Sequence, residues 1–225
     1  MLCAKTAPLL RLLVLLLLSA LAAAAAAPAE ELTLAIDAAA SSVDFDFGAT
    51  LHDVSGSLQL QGGSIRFDTA TGVASGEITA VATSAKTGIE RRDHKMHEKI
   101  LESATFPTIV FKVERIDGPV NRTGHSDLQL HGTLTLHGTS LPASILATAT
   151  ATGDRVQATG HFTVPYLKYG MPDPSVFLLR VAKEVHVTLH IVGHLVPGDQ
   201  ATSATSGAAG AAHPHRALAG RASIR

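Results

Sequence analysis

Histidines are the residues of this chain best suited to metal or acid–base chemistry, and the sequence contains 12 of them. His94 and His97 lie in the charged stretch "RRDHKMHEKIL", in which "HEKIL" begins like the HExxH motif of zinc proteases. That motif requires a second histidine four residues after the first, and this chain has Leu101 there. The two histidines therefore do not predict a catalytic zinc site.

Four further histidines lie in segments where polar and apolar residues alternate. His131 and His137 alternate with leucines, and His186 and His190 alternate with Val187 and other apolar residues, so we expect all four to face outward. Residues four apart on a strand are about 13 Å apart, too far to bind one ion. These histidines are interpreted as surface residues, and the sequence predicts no metal and no cofactor.

Nucleophilic catalysis has little support. No G-x-S-x-G motif occurs. The sole cysteine, Cys3, lies before the N-terminal apolar run, whereas a lipoprotein cysteine would lie at the end of that run. We therefore expect a protein that is not an enzyme. A histidine-based, metal-dependent enzyme is kept as the less favoured alternative.

The N-terminal residues have the composition of a secretory signal peptide. Residues 1–27 carry Lys5 and Arg11, continue into the apolar run "LLVLLLLSALAAAAAA", and end in small residues before Pro28. The strongly apolar part is too short for a membrane span, so we expect cleavage near Ala27, with an uncleaved anchor as the alternative. The mature protein is then periplasmic or secreted.

The rest of the chain divides into one domain and a tail. Residues 28–197 are enough for one domain with a substantial core, and they contain 13 Lys and Arg against 18 Asp and Glu. This acidic balance, without a long basic run, argues against a nucleic-acid partner. Residues 198–225 are rich in Ala, Gly, Ser and Thr, which predicts a disordered low-complexity tail.

Alternation of period two is the dominant pattern of the domain. It begins at "SVDFDF", where Phe45 and Phe47 share one face while Asp44 and Asp46 share the other. It continues through "LQLHGTLTLHG", "ASILATATATG", "RVQATGHFTV" and "EVHVTLHIVGHL", with expected turns at "GG" 62, "TG" 71, "DG" 117 and "TGD" 152. About eight to ten antiparallel strands follow, arranged as a sandwich or as a barrel able to enclose a small apolar ligand.

One helix is expected between these strands. Thr87 and Glu90 form a capping-box pattern, and Pro107 requires Phe106 to be extended, so about three helical turns lie between them. Helical spacing places two sets of residues on different faces: Ile89, Asp93, Met96 and Ile100 on an apolar face, and Arg91, Lys95 and Lys99 on a charged face.

Several segments, in their order along the chain, resemble the YceI-like polyisoprenoid-binding family. They are "SSVDFDFGATLHDVSG", "GGSIRFD", "RRDHKMHEKILESATFPTIVF", "LHGTLTLHG" and "VPYLKYGMPDPSVFLLRVAKEVHVTLHIVG", and the resemblance covers about 32–195. It implies an all-β, antiparallel, lipocalin-like barrel with the short helix near the barrel mouth. It also implies an exported, non-catalytic protein that holds a long isoprenoid chain, such as a polyprenyl quinone or a similar amphiphile, for storage or transport.

The resemblance and the apolar strand faces together suggest a set of ligand-binding residues. The candidates on the apolar faces of the strands are Phe45, Phe47, Leu60, Phe67, Phe111, Phe162 and Tyr166. The helix contributes Met96 and Ile100 toward the interior and Asp93 as an acceptor of local hydrogen bonds. A scaffold or interaction module with a filled barrel remains the main alternative. The oligomeric state stays open, with a dimer among the alternatives.

Overall fold

A computed structural model describes residues 30–50, 52–175 and 180–198. Within these ranges the chain forms nine strands and one α-helix. The strands are β1 (Glu31–Ile36), β2 (Ser42–Phe47), β3 (Val54–Asp68), β4 (Ala74–Lys86), β5 (Thr108–Asp117), β6 (Gly124–Leu136), β7 (Thr139–Thr152), β8 (Arg155–Val164) and β9 (Val185–Pro197), and the helix α1 (Glu90–Lys99) follows β4. The predicted signal peptide at 1–27 lies outside the described residues, as does the predicted tail beyond residue 198.

All strand pairs are antiparallel, and the sheet closes into a barrel. The hydrogen-bonded order is β1-β3-β2-β9-β8-β7-β6-β5-β4, and β4 pairs in turn with β3. β1 and β2 both lie between β3 and β9, one above the other, because the 3-10 turn Ala38–Ala40 interrupts them. They therefore share one of eight positions around the barrel. The predicted barrel of eight to ten strands with one short helix is confirmed.

The alternation read from the sequence decides which side chains face the interior. On β9, Ile191 is buried while His186, His190 and His194 are exposed. On β7, Ile145 is only 2% exposed, whereas its neighbour Leu146 is 61% exposed on the outer surface. Because successive side chains of a strand point to opposite faces, the apolar set of each strand forms one continuous interior.

Gly62 and Gly63 do not form the turn that the sequence suggested. They lie inside β3, a single strand of 15 residues, at a register shift against β4 between Leu60 and Gly62. Both glycines have positive φ values, 142° and 157°, and a Cβ atom on Gly63 would lie 2.2 Å from the Glu77 carbonyl oxygen. A bulge that brings two backbones this close requires glycine, so the pair bends a strand instead of ending it.

The start of α1 also differs from the prediction. The helix begins at Glu90, and Ile89 occupies the N-cap position without a side-chain hydrogen bond to the helix. The Thr87–Glu90 capping box is therefore wrong, because the Thr87 hydroxyl is bonded to Asp93. Ile89 has extended backbone and is 52% exposed, so it does not belong to the apolar face that helical spacing assigned to it.

His137 is a further correction. It was expected on the outer face of a strand, but β6 ends at Leu136 and His137 lies in the turn with φ 51°. Its ring packs at a tilt against Phe106 with 4.4 Å between ring centroids, and its side chain is 11% exposed. Parity along a strand no longer predicts orientation once the backbone enters a turn.

Candidate ligand-binding cavity

The barrel interior is not filled by its own side chains. A cavity of about 470 Å³ lies between the inward faces of the strands and α1. This volume falls within the range of roughly 300 to 1,000 Å³ that is typical of small-molecule sites. Its walls are mainly aliphatic and aromatic, so it suits an apolar ligand. The alternative of a filled barrel does not describe this interior.

Most of the residues predicted as ligand-binding line this cavity. They are Phe45, Phe47, Leu60, Met96, Ile100, Phe111, Phe162 and Tyr166. Phe67 lines a second, smaller cavity in the same barrel. Asp93 lines neither cavity.

Tyr166 reaches the cavity from a turn rather than from a strand. It belongs to the 3-10 turn Tyr166–Tyr169 after β8 and is 4% exposed. Burial, followed by the negative charge of Asp173, raises the pKa of its hydroxyl. The hydroxyl is therefore neutral at physiological pH, and the ring serves as an apolar wall.

The mouth of the cavity lies between α1 and two short segments. These segments are far apart in the sequence but adjacent in the structure. Ala49 and Val181 form an isolated bridge, and the Thr50 hydroxyl accepts a hydrogen bond of 2.8 Å from the Arg180 backbone N–H. The Thr50 backbone N–H donates to the Arg180 carbonyl oxygen at 3.0 Å. Arg180 and Lys95 are among the residues that these elements contribute to the cavity wall.

Asp93 fixes the turn that leads into α1. Its carboxylate accepts a 2.8 Å hydrogen bond from the Thr87 backbone N–H and a second from the Thr87 hydroxyl. Arg92 completes the group, because its Nε donates to the Thr87 hydroxyl oxygen at 2.7 Å. The hydroxyl bond above all, with the backbone bond and the nearby Arg92 charge, holds the pKa of Asp93 below its ordinary value. As predicted, Asp93 accepts local hydrogen bonds, and they position the helix rather than contact the cavity.

His97 joins the other end of α1 to the barrel. Its Nε2 lies 2.8 Å from the Ala85 carbonyl oxygen on β4, and its Nδ1 lies 2.9 Å from the Ser103 hydroxyl. Because a carbonyl oxygen can only accept, Nε2 carries the hydrogen and donates a hydrogen bond to the Ala85 carbonyl oxygen. Ser103 is 5% exposed and His97 is half-buried, so the hydrogen bond between them is partly shielded from solvent. The histidine that resembled part of a zinc motif is a structural hydrogen-bonding residue.

The smaller cavity lies beyond the large one, toward the other end of the barrel. Its volume is about 90 Å³, and alanines such as Ala147, Ala149 and Ala158 contribute to its walls. Three side chains line both cavities: Ile78 of β4, Ile145 of β7 and Leu189 of β9. We call these three residues the partition. It separates an upper cavity next to α1 from a lower cavity.

Sequence reasoning missed several residues of the upper cavity. Inward-facing aliphatic residues such as Leu58, Ile109, Leu134 and Val187 line it together with the predicted aromatics. Strand parity could have identified them, since each lies on the apolar face of its strand. Arg92 and Arg180 had no such signal, because their place depends on how α1 and the residues near 50 and 180 meet.

In ranges 30–50, 52–175 and 180–198, no group of three or more His, Asp or Glu side chains is arranged to hold a metal ion. The helices of these ranges are also too short or too polar for a membrane crossing.

A closed antiparallel barrel with an enclosed apolar cavity is a lipocalin-like architecture. Residues 34–193 match the model of the YceI-like domain, and the chain therefore belongs to this family. No curated protein matches the chain.

Solved structures share the fold at low identity. BcnA of Burkholderia cenocepacia is 18% identical, with a TM-score of 0.58 over 70% of this chain and 98% of BcnA. A polyisoprenoid binding domain from Saccharophagus degradans, implicated in plant cell wall breakdown, is 17% identical, with a TM-score of 0.55 over 72% of this chain and 97% of the domain. The Campylobacter jejuni YceI protein is 14% identical, with a TM-score of 0.50 over 64% and 86% of the two chains.

Proposed function

We propose that this protein is an exported, non-catalytic lipid-binding protein that holds the long apolar chain of an isoprenoid in its upper cavity, for storage or transport. The apolar cavity of about 470 Å³ inside the barrel is the observation that carries the proposal. The family supports it, since the Saccharophagus degradans domain is named for polyisoprenoid binding. A polyprenyl quinone or a similar amphiphile fits this chemistry.

The energetics favour a ligand with a long apolar chain. Each methylene group moved from water into the cavity contributes roughly 0.8 kcal/mol, while association costs roughly 4 to 15 kcal/mol in lost freedom. A few isoprene units therefore offset the cost of association. Binding does not depend on a charged anchor, so the aromatic and aliphatic walls determine most of the affinity.

The mouth suits a polar head group that is neutral or negatively charged. Arg92, Lys95 and Arg180 line the upper cavity, and none of its described lining residues is Asp or Glu. A cationic head group would meet like charges there. The head group of the ligand then lies between α1 and the segments around Thr50 and Arg180, with the chain directed toward the partition.

Export rests on residues 1–27, which carry the pattern of a signal peptide. The mature protein would be periplasmic or secreted after cleavage near Ala27. Edman sequencing of protein recovered from outside the cytoplasm should begin near Pro28. A chain that retains its N-terminus in the cytoplasm would contradict this part of the proposal.

Binding is tested with a polyprenyl quinone and with solvent extraction of the purified protein followed by mass spectrometry. The informative pair is Phe45→Arg and Asp44→Arg, since these neighbours lie on opposite faces of β2, with Phe45 in the cavity wall and Asp44 exposed. Phe45→Arg places an unpaired charge beside the chain and should weaken binding about a hundredfold. Asp44→Arg should change Kd by no more than about twofold.

Two outcomes would overturn the proposal. A folded Phe45→Arg protein, verified by circular dichroism, that binds the quinone as the wild type does would remove β2 from the site. A wild-type protein that takes up no isoprenoid and no other lipid would favour an interaction module over a carrier.

A further inference from the structure

The partition divides an interior that could otherwise be one tunnel. Ile145 is 2% exposed, and Ile78 is 6% exposed, so both are held by surrounding atoms. Leu189 lies at the same level on β9, directly across from Gly160 of β8 in the strand register. A Cβ atom on Gly160 would lie 2.9 Å from Ile145 Cγ2 and 3.6 Å from Leu189 Cδ1. A side chain at position 160 would collide with Ile145, so the glycine on β8 leaves room for Ile145 and Leu189 at the partition.

The partition is stiff because of its residue types. Two of its three members are isoleucines, whose branched Cβ restricts rotation about χ1. Side chains in a close-packed interior occupy rotamer wells, and turning one aside requires its neighbours to move. A ligand chain that arrives from the mouth therefore meets a fixed floor rather than a flexible one.

The lower cavity is a separate, smaller space beyond the partition. Its volume is about 90 Å³, small compared with the space above. At its far end the Asn121 backbone N–H donates to the Ser126 hydroxyl at 2.9 Å, and Ser126 is 4% exposed. The space is therefore bounded by the partition on one side and by the β5–β6 connection on the other.

We propose that the partition sets the maximum length of isoprenoid chain that the barrel can enclose. The end of the chain rests on Ile145 and the lower cavity stays unused, so a longer ligand keeps its further isoprene units and its head group outside the mouth. This inference rests on the proposed function and specifies its ligand class by chain length. Removal of the Ile145 side chain joins the two cavities and extends the enclosed length.

The test uses a graded series of isoprenoid alcohols with one head group: farnesol, geranylgeraniol, geranylfarnesol and solanesol. For wild type, Kd should fall as the chain lengthens and then stop falling at one member of the series. Ile145→Ala should move that point to a longer member of the series. The Kd of that longer alcohol should fall roughly tenfold, because about two additional methylene groups become buried.

Filling the lower cavity provides the matched control. Ala149→Leu reduces the lower cavity only, so by itself it should leave the wild-type series unchanged. In the double variant Ile145→Ala/Ala149→Leu the series should return to the wild-type pattern. Where Ile145→Ala does not fold by circular dichroism, Ile145→Val should shift the series in the same direction by a smaller factor.

The outcomes separate this inference from the proposed function. An unchanged series in folded Ile145→Ala overturns the partition as a length limit while isoprenoid binding stands. Weaker binding of the longest alcohols by Ala149→Leu alone also overturns it, since the chain would then already occupy the lower cavity. Failure of wild type to bind any member of the series contradicts the proposed function itself.

Discussion

The upper and lower halves of the barrel interior differ in an unexpected direction. The upper half is lined by large aromatic residues such as Phe45 and Phe111, yet it encloses about 470 Å³. The lower half is lined mainly by aliphatic residues such as Ile65 and Ile191, with alanines such as Ala149 and Ala158 among them, yet only about 90 Å³ remains open. Side-chain size along the strands therefore does not predict where the space lies.

What closes each end of the barrel accounts for the difference. The lower half receives additional apolar side chains from β1 and from the β5–β6 connection, among them Leu34, Ile36 and Val120. The upper half is covered by α1, which contributes Met96 and Ile100 to one wall and leaves the centre open. A core thus forms where aliphatic side chains fill the end of the barrel, and a cavity forms where aromatic walls meet a helix laid across the opening.

A buried charge in each half gives the sharpest test of this comparison. Ile65 is 2% exposed and lines the lower half, where there is no room to hydrate an arginine. Ile65→Arg should therefore abolish the cooperative thermal transition, since an unpaired buried charge costs a large part of a typical stability of about 5 to 15 kcal/mol. Phe45→Arg, beside the larger cavity, should still unfold cooperatively.

Calorimetry or circular dichroism melts of the two variants provide the measurement. Comparable loss of folding in both would show that the upper cavity is as tightly packed as the lower half. Retention of the wild-type midpoint by Ile65→Arg would contradict the assignment of the lower half as the folding core.

The attachment of α1 to the barrel gives the next effect in size. His97→Ala leaves the buried Ser103 hydroxyl and the Ala85 carbonyl without their partner. We expect a loss of about 2 kcal/mol in the free energy of unfolding, measured by urea denaturation. His94→Ala is the matched control, because its side chain is 71% exposed and lies 3.6 Å from Glu98 in a surface pair.

A result that reverses this order would show that the helix is not held by His97. Equal stability of His97→Ala and wild type would mean that α1 remains in place through Met96 and Ile100 alone. A large loss in His94→Ala would place that residue in a contact that its exposure does not indicate.

Asp93 gives the smallest of the three effects. Asp93→Ala removes the acceptor of two Thr87 hydrogen bonds and should cost about 1 kcal/mol of stability at neutral pH. The folded pKa of this carboxyl lies below its usual 3.8, so its contribution is complete above that value and is lost as the pH falls through the lowered pKa. The difference between wild type and Asp93→Ala should therefore shrink in acid.

Urea titrations of both proteins from neutral pH to strongly acidic pH measure this difference. Thr87→Val, which removes the hydroxyl donor and keeps a similar shape, should reproduce part of the loss. A constant difference between wild type and Asp93→Ala at all pH values would exclude charge-dependent hydrogen bonding as the cause.

Most of the strand pattern could be predicted because each strand follows a local rule. The alternation at Phe45 and Phe47 and the leucines of β6 gave the inward face directly. The rule failed where the backbone departs from regular geometry. Gly62 and Gly63 looked like a turn but bend a continuous strand, and His137 follows the last residue of β6 into a buried turn.

The sequence predicted which face of each strand lines the candidate site, but not how far along the barrel axis each residue lies. Eight of the ten predicted residues line the upper cavity, whereas Phe67 lies with the lower cavity although it alternates in the same way. Position along the barrel axis depends on register between strands, which a single strand does not encode. The helix shows the same limit, since Asp93 and Thr87 form a bond that competes with the expected capping box.

The sequence by itself determined that every strand has one apolar face and that one charged helix interrupts them, because period two and period 3.6 are properties of the local backbone. Only the tertiary structure decided that β1 and β2 share one position, that β3 and β4 close the barrel, and that Ile78, Ile145 and Leu189 come together at the boundary of the two cavities. These residues come from strands far apart in the chain. Their meeting depends on closure and register, which are set by the sum of all strand pairings rather than by any one segment.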